Sequence, residues 1–193
     1  AQHGNLVRST LRGRRLLWRT APRNDGKDAA MTDKESFATI LGKFAAAGCA
    51  NDGGRFTALF TENGTYKDDF FGLYRGRAEI AAMLQRFHDT GMDYRWDFDG
   101  LVTDGSLGYA TFRFSFASKM PGYEGKPVLI TGISRFRFEG GLIAEYREVF
   151  DTGIALTQLG FPADRIKRIL DKEAAERNAS AAAREHLDRF AEG

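Results

Sequence analysis

Gly64-Thr65-Tyr66-Lys67-Asp68-Asp69-Phe70-Phe71-Gly72-Leu73-Tyr74-Arg75-Gly76-Arg77-Ala78-Glu79-Ile80 is the stretch that decides the fold. Its first part, Thr65 to Asp69, reads as a short strand, in which neighbouring side chains point to opposite faces. Of the adjacent carboxylates Asp68 and Asp69, at most one therefore enters an interior. The second part turns through residues 70–76 and opens a helix over Arg77 to His88, with Ile80, Met83, Leu84 and Phe87 on one face.

Upstream, the period stays helical. Phe37, Ile40, Leu41, Phe44 and Ala45 form an apolar stripe along Lys34 to Ala50, and Thr32 with Glu35 three residues on predicts a capping box at its start. Asn51-Asp52-Gly53-Gly54 stops that helix, Arg55 to Phe60 reads as a second, and Thr61 to Gly64 as a turn. Downstream, the period changes to two. Tyr94, Trp96 and Phe98 alternate with charged residues, Phe112, Phe114 and Phe116 share one face of Tyr109 to Ser118, and Pro127 to Phe138 and Leu142 to Asp151 follow across short turns. Four long strands in series predict an antiparallel meander that buries one face against the helices, an α+β architecture with a curved sheet wrapped around N-terminal helices.

A chain of 193 residues with 42% hydrophobic content supports one sizeable core. Its net charge of +2, from evenly mixed signs, favours neither nucleic acid nor an anionic membrane as partner. No apolar run approaches the roughly 20 residues that cross a bilayer, and a lone Cys49 suits a reducing compartment, so a soluble cytoplasmic protein is expected. The histidines His3, His88 and His186 are isolated, and the Gly53-Gly54 turn lacks the lysine and context of a phosphate loop. Neither a metal nor another cofactor is expected. Residues 1–30 are basic, acid-poor and without an apolar repeat, which predicts a disordered extension. Leu11 to Gly26 resembles the translated form of a palindromic repeat found between bacterial genes and Met31-Thr32-Asp33 reads as an ordinary start, so an extension from a misassigned start is one reading of this segment, and a transit-type peptide, which shares the composition, is the other. The organisation expected is thus 1–30 as extension, 31–161 as one domain and 162–193 as a charged helical extension.

The acidic strand after Glu62-Asn63-Gly64, the helix opening Gly76-Arg77-Ala78-Glu79-Ile80 and the last strand Ile143 to Asp151 together resemble the nuclear transport factor 2-like superfamily, in its SnoaL-like and ketosteroid isomerase-like branch. The resemblance covers about residues 34–161. It implies a cone-shaped, cystatin-like α+β barrel around a pocket for a hydrophobic small molecule, and a homodimer formed through the convex face of the sheet. For activity it implies either a cofactor-independent isomerase, polyketide cyclase-like enzyme, dehydratase or hydrolase acting on a carbonyl or cyclic compound, or a noncatalytic ligand-binding or dimerisation module.

On the isomerase pattern Asp68 matches the proton-abstracting carboxylate, whereas Phe44 and Ser134 stand where that pattern has a tyrosine and an aspartate that donate to the oxyanion. A phenylalanine cannot donate, so ketosteroid isomerisation itself is not implied. On the epoxide hydrolase pattern Asp151 matches the closing aspartate and Arg113 the arginine, but Ser115 replaces the second carboxylate. The candidate catalytic residues are therefore Asp68, Asp69 and Asp151. Tyr66, Trp96, Arg113, Ser134, Phe136, Tyr146 and Glu148 are the candidate binding residues. Tyr146, Glu148 and Phe150 share a strand face, and a carboxylate between two aromatics must be paired or neutral if that face is interior, with Arg113 the natural partner.

Overall fold

In a computed structural model, which describes residues 33–70 and 72–190 with the Asp68 side chain excepted, the first helix, α1 (Lys34–Cys49), starts at Asp33. The Asp33 carboxylate accepts from the Ser36 N–H at 2.7 Å, so the cap falls one residue later than the expected Thr32, which lies outside the described residues, as does the basic segment 1–30. An aspartate satisfies the orphan N–H groups of a first turn as well as a threonine does. Asp52 repeats the device for α2 (Gly53–Thr57), accepting from Arg55 N–H at 2.9 Å.

The predicted turn at 61–64 is part of a strand, β1 (Phe60–Asp68), with an irregularity between Phe60 and Thr65. Gly64 permits it: a Cβ there would lie 3.0 Å from the Ile143 carbonyl oxygen and 3.1 Å from Phe60 Cβ. The expected loop 70–76 holds a further short strand, β2 (Gly72–Arg75), antiparallel to β1. Then α3 (Gly76–Thr90) opens, as expected, at Gly76-Arg77. Its arginine has a definite task. The Arg77 guanidinium donates through Nε and Nη2 to the Phe60 carbonyl at 3.0 and 2.6 Å, fastening the helix to the start of β1.

The meander β3 (Gly91–Thr103), β4 (Leu107–Ser118), β5 (Pro127–Glu139) and β6 (Leu142–Phe150) forms as predicted. The sheet runs in the order β2-β1-β6-β5-β4-β3, and β1 pairs with β6 in parallel, so the sheet is mixed where only antiparallel pairing was expected. Breaks in register along β3, between Met92 and Arg95 and between Asp99 and Val102, add twist and help the sheet curl. The concave side receives Phe37, Leu41 and Phe44 of α1 and Ile80, Met83 and Leu84 of α3, all buried. Gly132 marks a close approach inside the sheet, since a Cβ there would come within 2.3 Å of the Val149 carbonyl oxygen.

Beyond β6 the chain forms α4 (Thr152–Leu159), which the sequence reading did not anticipate, then α5 (Ala163–Asn178), α6 (Ala181–Leu187) and a 3-10 turn at Asp188–Phe190. The Gln158 side-chain amide docks α4 onto β5: it accepts from Leu129 N–H at 2.7 Å and donates to Leu129 C=O at 3.0 Å. On α5, Glu173 is held above the ordinary carboxylate value of 4.5, first by burial and further by the negative charge of Asp69, although the Thr152 hydroxyl and Arg177 oppose the shift.

Two stability measurements follow from this packing. Phe44→Ala removes a fully buried ring and is expected to cost about 3–5 kcal/mol in urea unfolding without changing the denaturant slope. For Glu173 the raised native value means that its contribution is fully present below about pH 4.5 and is lost as pH rises through the native value. Between about pH 4 and pH 7 the thermal midpoint of the unaltered protein should therefore fall relative to that of Glu173→Gln, and parallel curves would refute the assignment.

Candidate functional site

Strand alternation places Tyr94 and Trp96 of β3, Phe112, Phe114 and Phe116 of β4, and Glu148 and Phe150 of β6 on the same concave side. Between them and the α4–α5 segment lies a pocket of about 230 Å³. Its wall is completed by Tyr66 of β1, Phe87 and Thr90 of α3, and Leu156, Leu159, Phe161 and Arg165 from beyond the sheet. Most of the residues around the pocket are aromatic.

One carboxylate interrupts this wall. Glu148 is 6% exposed, and its Oε2 accepts from the Tyr146 hydroxyl at 2.7 Å. Tyr146 has a single hydroxyl proton, so when it donates to Glu148 the contact of 3.0 Å between Ser134 Oγ and Tyr146 Oη has Ser134 as donor. The order Ser134 to Tyr146 to Glu148 arises from the ladder, because Ser134 faces Glu148 and Phe136 faces Tyr146 across β5 and β6. All three residues are buried. In the same wall, Trp96 is 8% exposed and its indole N–H, itself buried, has no hydrogen-bond partner among the described residues. Tyr94 is engaged, donating to the Phe87 carbonyl at 2.5 Å, and burial holds its phenol far above the ordinary value, with Cys49 adding to the shift.

The sequence-derived candidates thus fall into separate places. Tyr66, Trp96 and Glu148 line the pocket, and Tyr146 with Ser134 stands behind Glu148. Phe136 is fully buried deeper in the core, edge-on to Phe37 and Tyr146. Arg113 faces outward on β4 and pairs with Asp99 at 3.0 Å, so the expected pairing of Glu148 with Arg113 is replaced by the hydrogen bond from Tyr146. Asp151 is exposed and caps α4, accepting from Ile154 N–H at 3.0 Å. Asp69 lies in the β1–β2 turn, within electrostatic reach of Glu173. Asp68 closes β1 opposite Gly72, and its side chain lies outside the described residues. The three phenylalanines of β4, which share one face as the spacing predicts, belong to the concave side.

Sequence reasoning missed the α4–α5 wall. The signal was present: Asp151 as N-cap, eight residues rich in apolar side chains, and Gly160 with φ 79° ahead of Phe161-Pro162 bracket a short helix. Among the described residues no group of three or more histidine, cysteine, aspartate or glutamate side chains is placed to hold a metal ion, and no helix is long and apolar enough to cross a membrane.

Comparison with known proteins places this geometry. Among curated proteins nothing matches significantly. Solved structures do match. A hypothetical protein of ketosteroid isomerase-like fold from Catenulispora acidiphila DSM 44928, solved in complex with trimethylamine, aligns with a TM-score of 0.59 at 22% identity, over 65% of this chain and 95% of its own. TsrD from Streptomyces laurentii aligns with a TM-score of 0.58 at 23% identity, over 66% and 97%. An LEH-like epoxide hydrolase of M. tuberculosis aligns with a TM-score of 0.54 at 18% identity, over 65% and 90%. At such identities these likenesses concern the fold alone. The match to a family is of another kind, since residues 42–146, more than half of the chain, fit the model of the SnoaL-like domain. With its helices leading into a curled six-stranded sheet around an aromatic pocket, the chain belongs to the SnoaL-like domain family.

Proposed function

We propose that the protein is a cofactor-independent enzyme that moves a proton on a small hydrophobic carbonyl or cyclic compound, with Glu148 as the transferring group. The observation that carries this reading is the buried run of hydroxyls from Ser134 through Tyr146 to Glu148, opening on an aromatic pocket. Tyr146 fixes the carboxylate in one orientation, which general-base catalysis requires before any question of acidity arises. The rings around it exclude water, which strengthens the electrostatic interaction between the carboxylate and a bound C–H or O–H group. Asp68, the base that the family resemblance implies, is retained as a second carboxylate at the end of β1, with Asp69 next to it.

Solvent deuterium incorporation into a panel of cyclic ketones, followed by proton NMR, tests the reading without a known substrate. At least one ketone should exchange faster with the protein than in buffer, and Glu148→Gln should lower that rate by about 10²- to 10⁴-fold. An unchanged rate in Glu148→Gln with a loss in Asp68→Asn would move the base to Asp68. Retention of a copurifying small molecule in native mass spectrometry, with no exchange in any ketone, would instead make the chain a noncatalytic binding module.

The reading includes a homodimer. Leu129, Ile133 and Val149 on the outer face of the sheet are 51%, 54% and 52% exposed, and Ile133 and Val149 are direct cross-strand neighbours. Adjacent branched apolar side chains on an open sheet face favour burial against a second copy. Light scattering should give twice the chain mass for the unaltered protein and the single-chain mass for Ile133→Glu. A monomer in both cases would refute it.

A further inference from the structure

Arg165 is the cationic side chain of the pocket wall, and nothing in the proton-transfer reading uses it. It enters from the first turn of α5, and two aromatic rings hold it in place. Its guanidinium carbon lies 3.9 Å from the centroid of the Phe161 ring and 5.7 Å from that of Tyr123, and Nη1 donates to the Tyr123 hydroxyl at 3.1 Å. Its helical neighbours are paired within α5: Asp164 with Arg168 at 2.7 Å and Lys167 with Asp171 at 2.6 Å. Arg165 itself has no carboxylate partner among the described residues.

This combination is uncommon for a structural arginine. A half-buried guanidinium beside apolar walls loses hydration, and that loss is normally offset by an anion. Stacking on Phe161 and Tyr123 supplies part of the compensation and holds the side chain in one orientation, which lowers the entropic cost of engaging a ligand. One of its five N–H donors is committed to Tyr123, and the planar fork of the others fits a carboxylate. Its location complements that of Glu148, which is more deeply buried and belongs to the sheet, whereas Arg165 belongs to the helical wall.

We propose that Arg165 is the anion-recognition residue of the pocket, and that the ligand is a small aromatic or alicyclic carboxylic acid. Its carboxylate pairs with Arg165 at the helical wall, and its apolar body extends among the phenylalanines towards Glu148. The assignment rests on the small-molecule reading of this pocket, and it adds the charge and the orientation of the guest.

Ligand-observed NMR titrations of the full chain with 3-phenylpropionate, 3-phenylpropanamide and 3-phenylpropylamine test it. The acid should bind at least about tenfold more tightly than the amide, the order expected of a charge-assisted pair. Arg165→Gln should bring acid and amide to parity while leaving amide affinity unchanged, which shows that the pocket persists. Arg165→Lys should keep part of the preference, because a lysine retains the charge without the fork. Equal binding of acid and amide to the unaltered protein, tighter binding of the amine, an unchanged preference in Arg165→Gln, or no binding of any of the three overturns the assignment. Should Arg165→Gln fail to fold, the preference of the unaltered protein and of Arg165→Lys decides. The titrations do not depend on turnover, so loss of ketone exchange in Glu148→Gln without acid preference sinks Arg165 alone, and acid preference without exchange sinks the catalytic role of Glu148 alone.

Discussion

The ring of Phe44 meets rings from four strands, β1, β6, β5 and β3, and the curl of the sheet follows from that. Tyr66 of β1 and Trp96 of β3 lie with ring centroids 6.5 and 5.0 Å from it, and Phe136 and Tyr146 of the strands between lie at 5.9 and 4.9 Å. In the sheet order, β1 and β3 are four strands apart. At about 4.8 Å per strand, a flat sheet would separate them by roughly 19 Å. A single ring can touch both only if the sheet curls around it, and the breaks in register along β3 assist that curl.

Closing one end of the cone around Phe44 has a chemical consequence. A hydroxyl on α1 at this place could reach into the interior, but phenylalanine only fills it. The buried polar groups lie instead on the sheet, where the cross-strand pairing of Ser134 with Glu148 and of Phe136 with Tyr146 aligns two hydroxyls behind one carboxylate. The wide end stays open because β4 and β6 send rings there whose neighbours are a short helix and the start of α5 rather than the N-terminal helices. The pocket is in this sense a residue of the packing at the narrow end.

Much of this was legible in the chain. Period two from Tyr94 onward reports side chains that alternate between core and solvent, and it puts Tyr146, Glu148 and Phe150 on one face. Gly76-Arg77 was legible as a helix opening, but its reason was not, because the Phe60 carbonyl that Arg77 holds is 17 residues away. What stayed hidden depends on register between distant segments. The parallel pairing of β1 with β6 leaves no local mark, whereas the outward parity of Arg113 follows from the phenylalanines on either side of it. The α4 helix was missed for a different reason. Eight residues with apolar side chains after a strand look like its continuation until Asp151 and Gly160 are weighed as cap and stop.

The docking of α4 through Gln158 separates two halves of the pocket wall. Pairing between β5 and β6 reaches only to Gly132 and Phe150, and the Gln158 amide takes up both main-chain groups of Leu129 beyond that point. A side chain thus completes the ladder where another strand would otherwise run. Because the attachment is made to backbone atoms of β5, the residues of α4 and α5 that line the pocket can be exchanged without altering the sheet that holds Glu148. The pocket wall is therefore built in two parts: the strands hold Glu148 in the ladder, while the helical part rests on one side-chain attachment and leaves that ladder undisturbed.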